Sequence, residues 1–227
     1  MKTMPRLAIL ALVSLTLLAG QPLTGERVRI ATYNLHNYLS QDRWVGGQWT
    51  RNYPKPAEEK AAVRDVILAA RPDVLAVQET GGLGYVRELQ RDLQTLGLDL
   101  PHAYVALAAD DERRMGLLSR IEPVAVATHI DIDFPYLGGR QRVKRGLMEA
   151  TFDGPGEPWT LFIIHLKSRW TDRADDPQSA LRREREARAL RDFIRKQFPM
   201  TQRPRYLIAG DLNDHPASPA VRRFTRI

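Results

Sequence analysis

Four apolar runs in this chain each end on a polar residue able to do chemistry. Asn34 closes VRIATYN, Glu79 closes DVLAVQE, His165 closes LFIIH, and Asp211 with Asn213 closes RYLIAGDLN. Short apolar runs bounded by turn signals read as buried strands. Polar groups at the C-terminal ends of strands that share one core converge on one rim, where α/β proteins place ligands. Taken singly, an Asn after a strand is an ordinary turn residue and an Asp an ordinary helix cap. Taken together, carboxylate and amide oxygens suit a hard cation such as Mg2+ or Mn2+, held by one or two carboxylates, water and substrate phosphate.

Other chemistries lack their residues. The 227-residue chain has no cysteine, which removes disulfides, thiolate zinc sites, iron–sulfur clusters and cysteine nucleophiles. It has no HExxH and no histidine cluster, so a dedicated zinc site is disfavoured. No GxSxG elbow is present, and no P-loop or GxGxxG opens a helix. What remains is metal-assisted attack of water on a phosphate ester.

The elements that must position these residues alternate between strand and helix. Val28–Tyr33 reads as a strand, and residues 57–70 as a helix with Val63, Val66, Ile67 and Ala70 on one face. Pro72 ends that helix, and Asp73–Gln78 is the next strand. Residues 85–96 read as a helix through Leu89, Leu93 and Leu96, followed by strand-like pieces at 103–108, 115–119, 123–129, 143–152 and 159–166. A charged helix at 180–198, with Ala187, Leu190 and Ile194 as its stripe, precedes the strand Arg205–Gly210. Such alternation means an α/β fold. Ser218-Pro219 opens a last helix by an N-cap and a proline. No C-cap signal follows before Ile227, so either the chain is cut short or its terminal helix frays.

Lys2 and Arg6 precede an uncharged run, Leu7–Ala19. The run is shorter than the ~20 residues a membrane-crossing helix needs. It matches a secretory signal, giving residues 1–25 as signal and linker, 26–227 as the domain, and a secreted or periplasmic location without a stable membrane anchor. The formal charge is +7, and residues 140–227 hold 19 Lys/Arg against 11 Asp/Glu. That half could face a polyanion or carry solvated helix faces.

ATYNLHNY, PDVLAVQET, IIHLKSRW and GDLNDHP resemble the successive motifs of the endonuclease/exonuclease/phosphatase superfamily, the deoxyribonuclease-like hydrolases, from about Val28 to Pro219. The resemblance implies two mixed β-sheets packed face to face with helices outside, a four-layer sandwich. It implies that Glu79 is the principal metal carboxylate, with Asn34 beside it and Mg2+ or Mn2+ as the cation. Asp211 would orient or deprotonate the attacking water, also facing the metal, while Asn213 holds a phosphate oxygen and His165 assists the leaving group. Arg145 falls where relatives carry a phosphate-facing arginine, a strand-edge surface charge being the plain alternative. Lys167 and Ser168 could contact phosphate, and His36 should line the rim. The family's closing Ser-Asp-His motif has no counterpart after Asp211, so the C-terminal strands are expected to be missing.

These expectations add up to an exported, monomeric metal-dependent phosphodiesterase whose substrate is nucleic acid. The alternatives are a phosphatase or phospholipase-C-like hydrolase of inositol phosphates or sphingomyelin, and an inactive remnant. Two further segments carry open readings. Residues 41–56 interleave Trp44, Trp49 and Tyr53 with Arg43 and Arg51. They could stack bases, although aromatic caps over a core edge are the preferred reading. The arginines of the 180–198 helix are read as a solvated face relieved by pairs such as Glu184–Arg188.

Overall fold

The computed structural model describes residues 27–199, 201 and 203–225, so the expected signal lies outside the described residues. The first half runs β1 (Ile30–Tyr38), β2 (Gln41–Val45), β3 (Gln48–Tyr53), α1 (Ala57–Ala70), β4 (Val74–Thr80), α2 (Leu83–Thr95), β5 (His102–Val105) and β6 (Arg114–Ser119). The second half runs β7 (Ala125–His129), β8 (Asp133–Tyr136), β9 (Gly139–Arg142), β10 (Leu147–Phe152), β11 (Trp159–His165), α3 (Ala180–Gln197), β12 (Tyr206–Asp211) and α4 (Pro219–Thr225).

Two four-stranded mixed sheets result, ordered β1-β4-β6-β5 and β12-β11-β10-β7. In each, an outer parallel pair (β1 with β4, β12 with β11) is continued by antiparallel strands. The alternation of side chains along the strands divides the core into three. Val74 and Ala76 of β4 face Leu161 and Ile163 of β11 between the sheets, with Met115, Leu117, Met148 and Phe152. Leu75 and Val77 point the other way, onto Val63 and Ile67 of α1 and Val86, Leu89 and Leu93 of α2. Phe162 and Ile164 likewise meet Ala187, Leu190 and Ile194 of α3 and Ala220 of α4. This is the four-layer sandwich. Each such fully buried Leu, Ile or Phe contributes about 1.5–3 kcal/mol.

Several boundaries and faces differ from the sequence reading. On α1 only Val63 and Ile67 are buried, while Val66 is half exposed, because one sheet edge covers less of the helix than a full stripe requires. Leu96 lies beyond the end of α2 and is exposed. The expected strand over 143–152 begins only at Leu147, after a turn through Gly146 at φ 67°. Two hairpins, β2–β3 and β8–β9, stand where no strand was expected. The last helix starts as expected, with the Ser218 Oγ accepting the Val221 N–H at 3.2 Å. Among the described residues, no helix is long and apolar enough to cross a membrane.

Candidate active site

The parallel register of each sheet's outer pair delivers the polar residues to one rim. Asn34 is the register partner of Gln78, one residue before Glu79, and His165 is the partner of Asp211. The two sheets then meet through β1 and β12, where Asn34 Nδ2 donates to Asp211 Oδ2 at 2.8 Å. Thus Asn34, Glu79, His165 and Asp211, from four strands of two sheets, lie together.

Backbone irregularities aim these side chains. Strict alternation would turn Glu79 outward with Leu75 and Val77, into the helix layer. Instead β4 slips register between Gln78 and Thr80, and Glu79 takes φ 58°. A bulge of this kind re-aims one side chain, and a non-glycine residue held there stores roughly 1–3 kcal/mol. Gln78 keeps its inward place by exchanging hydrogen bonds with Thr32. Across the rim, Gly210 has φ 141°, and a Cβ on it would stand 1.8 Å from the Ile164 carbonyl oxygen. Glycine is therefore what lets β12 approach β11 closely enough to set Asp211 beside His165.

His165 is the centre of the arrangement. Its side chain is fully buried, with Nε2 3.9 Å from both Glu79 Oε1 and Asp211 Oδ2. Neither ring nitrogen has a hydrogen-bond partner. Burial, then the neighbouring Arg145 charge, push its pKa down to about 4 against the pull of Asp211 and Asp110. A neutral imidazole offers one donor and one acceptor. A buried polar pair left unsatisfied calls for a ligand or a functional reason.

The other expected residues are placed as follows. Asn213, at φ 53°, donates its backbone N–H to Asp211 Oδ1 at 2.8 Å and its side-chain amide to the Leu166 carbonyl at 3.0 Å. Arg145 is buried rather than a strand-edge surface charge, and it donates to Asp110 Oδ2 at 3.1 Å and to Leu166 O at 3.2 Å. Lys167 Nζ bonds within its own loop, to the Ser168 carbonyl and hydroxyl and to Trp170 O. Burial, then Arg145, lower its pKa. His36, at φ 50°, is exposed and reaches the site through its backbone, donating N–H to Asn34 Oδ1 at 2.9 Å.

A supporting layer was not legible. Asn37 donates its N–H to Glu79 Oε2 at 3.1 Å and accepts from Arg113 Nε at 2.8 Å. Buried Asp110 accepts from the Arg113 N–H and from Arg145. Burial alone would raise its pKa, but that N–H, Arg145 and Lys144 outweigh it and hold the carboxyl below its usual range. The expected solvated face of α3 is corrected at two positions, although Glu184 and Arg188 do pair at 3.2 Å. Arg183 and Glu186 are buried. Arg183 donates to Asp214 Oδ2 at 3.0 Å and to the carbonyls of Lys167, Gln178 and Ser179. Glu186 accepts the Lys167 N–H at 2.8 Å, and burial pushes its carboxyl up against the opposing pull of Arg182. These two residues tie the loops after β11 and β12 to the helix. Their signal was their place on the stripe of Ala187, Leu190 and Ile194.

The donor set fits a hard cation in one particular way. Among the described residues no three His, Cys, Asp or Glu side chains are grouped to hold a metal alone. Magnesium-type sites need only one or two carboxylates when water and phosphate supply the rest, and Glu79 and Asp211 on either side of an unpartnered imidazole match that. A model of the Endonuclease/Exonuclease/phosphatase family matches residues 31–227. The chain belongs to that family. Family members hydrolyse phosphoesters and generally use divalent metals.

Solved structures resemble it in fold. The human Nocturnin catalytic domain, solved with a bound sulfate anion, is 18% identical at TM-score 0.58, covering 88% of this chain and 69% of that one. Sphingomyelinase C from Streptomyces griseocarneus is 16% identical at TM-score 0.57, covering 86% of this chain and 68% of that one. D. rerio TDP2, complexed with a single strand DNA product, is 18% identical at TM-score 0.53, covering 83% of this chain and 61% of that one. No curated protein matches the chain by sequence.

Proposed function

We propose that this family member is an exported, divalent-metal-dependent phosphodiesterase that cleaves a polynucleotide. The observation that carries the reading is His165, buried with both ring nitrogens unpartnered and equidistant from two carboxylates. A phosphate oxygen at the rim gives that imidazole the partner it lacks. Glu79 holds the cation, with Asn34 and Asp211 beside it, and the cation supplies Lewis-acid neutralisation of phosphate charge.

Asp211, fixed by Asn34 and the Asn213 N–H, orients the attacking water and accepts its proton. The imidazole N–H of His165 donates to an oxygen of the scissile phosphate as charge builds there. Arg113, Arg145 and Lys144 add positive charge behind the carboxylates through Asp110 and Asn37. The basic second half and the signal-like N-terminus support an extracellular polynucleotide, and the TDP2 neighbour is described with a DNA product.

The test is nicking of supercoiled plasmid by the exported chain in Mg2+ or Mn2+, beside Glu79→Gln and a chelator. Nicking lost in both controls is the expected result. A folded chain that leaves plasmid intact yet releases phosphate from inositol phosphates or cleaves sphingomyelin moves the same chemistry to a small phosphoester.

A further inference from the structure

We propose that the β2–β3 hairpin is a stacking platform for unpaired bases, which holds a single-stranded polynucleotide beside the rim carrying Glu79. The inference rests on the polynucleotide reading above and names unpaired stretches, which a supercoiled plasmid also exposes, as the part of that substrate the hairpin holds.

Trp44 and Trp49 are register partners across the hairpin, with rings edge-to-face at 6.0 Å between centroids. They are 63% and 71% exposed, so they do not cap a core edge as the sequence suggested. Two indoles are left largely in water at one spot. Arg51, two residues along from Trp49, shares their outer face and is exposed.

The platform is rigid and close to the site. Gly46 and Gly47 take φ 57° and 82°, the positive values that a two-residue hairpin turn of matching twist demands. On the inner face, Arg43 donates to the Asn37 carbonyl at 2.9 Å, and Asn37 also holds Glu79. The hairpin base (Gln41, Asp42, Asn52) forms one wall of a cleft of ≈ 680 Å³ whose other wall is Gly81, Gly82, Tyr85 and Arg113. Three acids line that cleft: Glu112 pairs with Arg113 at 2.9 Å, Asp42 accepts the Asn52 N–H at 3.0 Å, and Asp111 is exposed.

Chemistry selects the occupant. Bases of any sequence present a π-face to an aromatic side chain, with arginine adding contacts to ring or phosphate. A duplex keeps those faces in its own stack. A bilayer would take up indoles together with aliphatic side chains, but no Leu, Ile or Phe stands between Gln41 and Tyr53, and Val45 is on the inner face.

The experiment is fluorescence anisotropy of a labelled oligothymidylate with the full chain, at low salt in chelator, comparing wild type with Trp44→Ala/Trp49→Ala. Both residues are solvent-exposed, and a far-UV spectrum confirms that the variant is folded. The expected result is binding weakened about tenfold or more, with affinity for a duplex of equal length changed less than twofold. An unchanged oligothymidylate affinity, or none in the wild type, overturns the platform. Unchanged oligothymidylate affinity with lost binding to phosphatidylcholine/phosphatidylglycerol vesicles overturns it in favour of a membrane surface. Wild-type turnover of bis(p-nitrophenyl) phosphate in Mn2+ is scored separately. Its failure retires the hydrolase reading, while the cation-free binding arm still decides the platform.

Discussion

Replacing Arg183 with Met should cost more stability than any other single change on α3. The side chain is 2% exposed, and its loss removes the pair with Asp214 and donors to three carbonyls, of Gln178 at 2.8 Å and of Lys167 and Ser179 at 3.3 Å. Met fills much of the volume, so the cost is dominated by polar groups left without a partner. Breaking a buried pair from one side costs about 3–5 kcal/mol. Asp214 keeps 12% exposure and has Arg169 at 3.5 Å, which places the expected cost at the lower end, about 3 kcal/mol. For a domain of this size that lowers Tm by about 6–12 °C. Thermal unfolding followed at 222 nm measures it. Arg183→Lys should recover only part of the loss, since an ammonium lacks the planar fork that serves a carboxylate and three carbonyls at once. A Tm within about 2 °C of wild type for Arg183→Met would refute the claim that this arginine ties the site loops to the helix.

Gly210→Ala should be at least as damaging by another route. Its Cβ meets the Ile164 carbonyl, so β12 must part from β11, and a loss of about 4 kcal/mol or more is expected in urea unfolding. An alanine variant with wild-type stability would mean that the strands pack less closely than described. Asp110 should give the acid limb of the stability curve. Its folded pKa is lowered, so its stabilisation is complete above the unfolded value of about 3.9 and is lost as pH falls through the lower folded value. Asp110→Asn should therefore be less stable than wild type at neutral pH, with the gap closing toward pH ~2. A pH-independent gap would show that ionisation is not what Asp110 contributes.

The parts of the fold that were legible are those with a buried face. VLAVQ, LFIIH and RYLIAG are apolar because β4, β11 and β12 are covered, β4 and β11 on both sides, and their polar ends already named Glu79, His165 and Asp211, as the end of VRIATYN on β1 named Asn34. The β2–β3 hairpin buries little, so QDRWVGGQWTRNY carries no core pattern, whereas β8 buries Phe134 and Tyr136 in the core beneath α3, a short alternation that the sequence reading passed over. The turns left a glycine signal, Gly46-Gly47 in the first hairpin and Leu137-Gly138 in the second, where Gly139 already belongs to β9. Arg183 and Glu186 read as solvent residues by type, because the partners that bury them, Asp214 and Lys167, are close in space but far along the chain. Asn37, Asp110 and Arg113 were silent for the same reason: each acts through a backbone group or a distant side chain, which no local spacing encodes. The bulge at Glu79 was also invisible, since a period-two pattern cannot say that one residue will be turned around.

The central claim is that side chains from both sheets form one hydrolytic site. Hydrolysis of bis(p-nitrophenyl) phosphate in Mn2+ by wild type, His165→Ala and Asp211→Asn tests it most directly. The account predicts turnover that a chelator abolishes, and a loss of about 10²-fold or more in each variant with folding retained. Wild-type rates in both variants would contradict it and move the chemistry away from this rim.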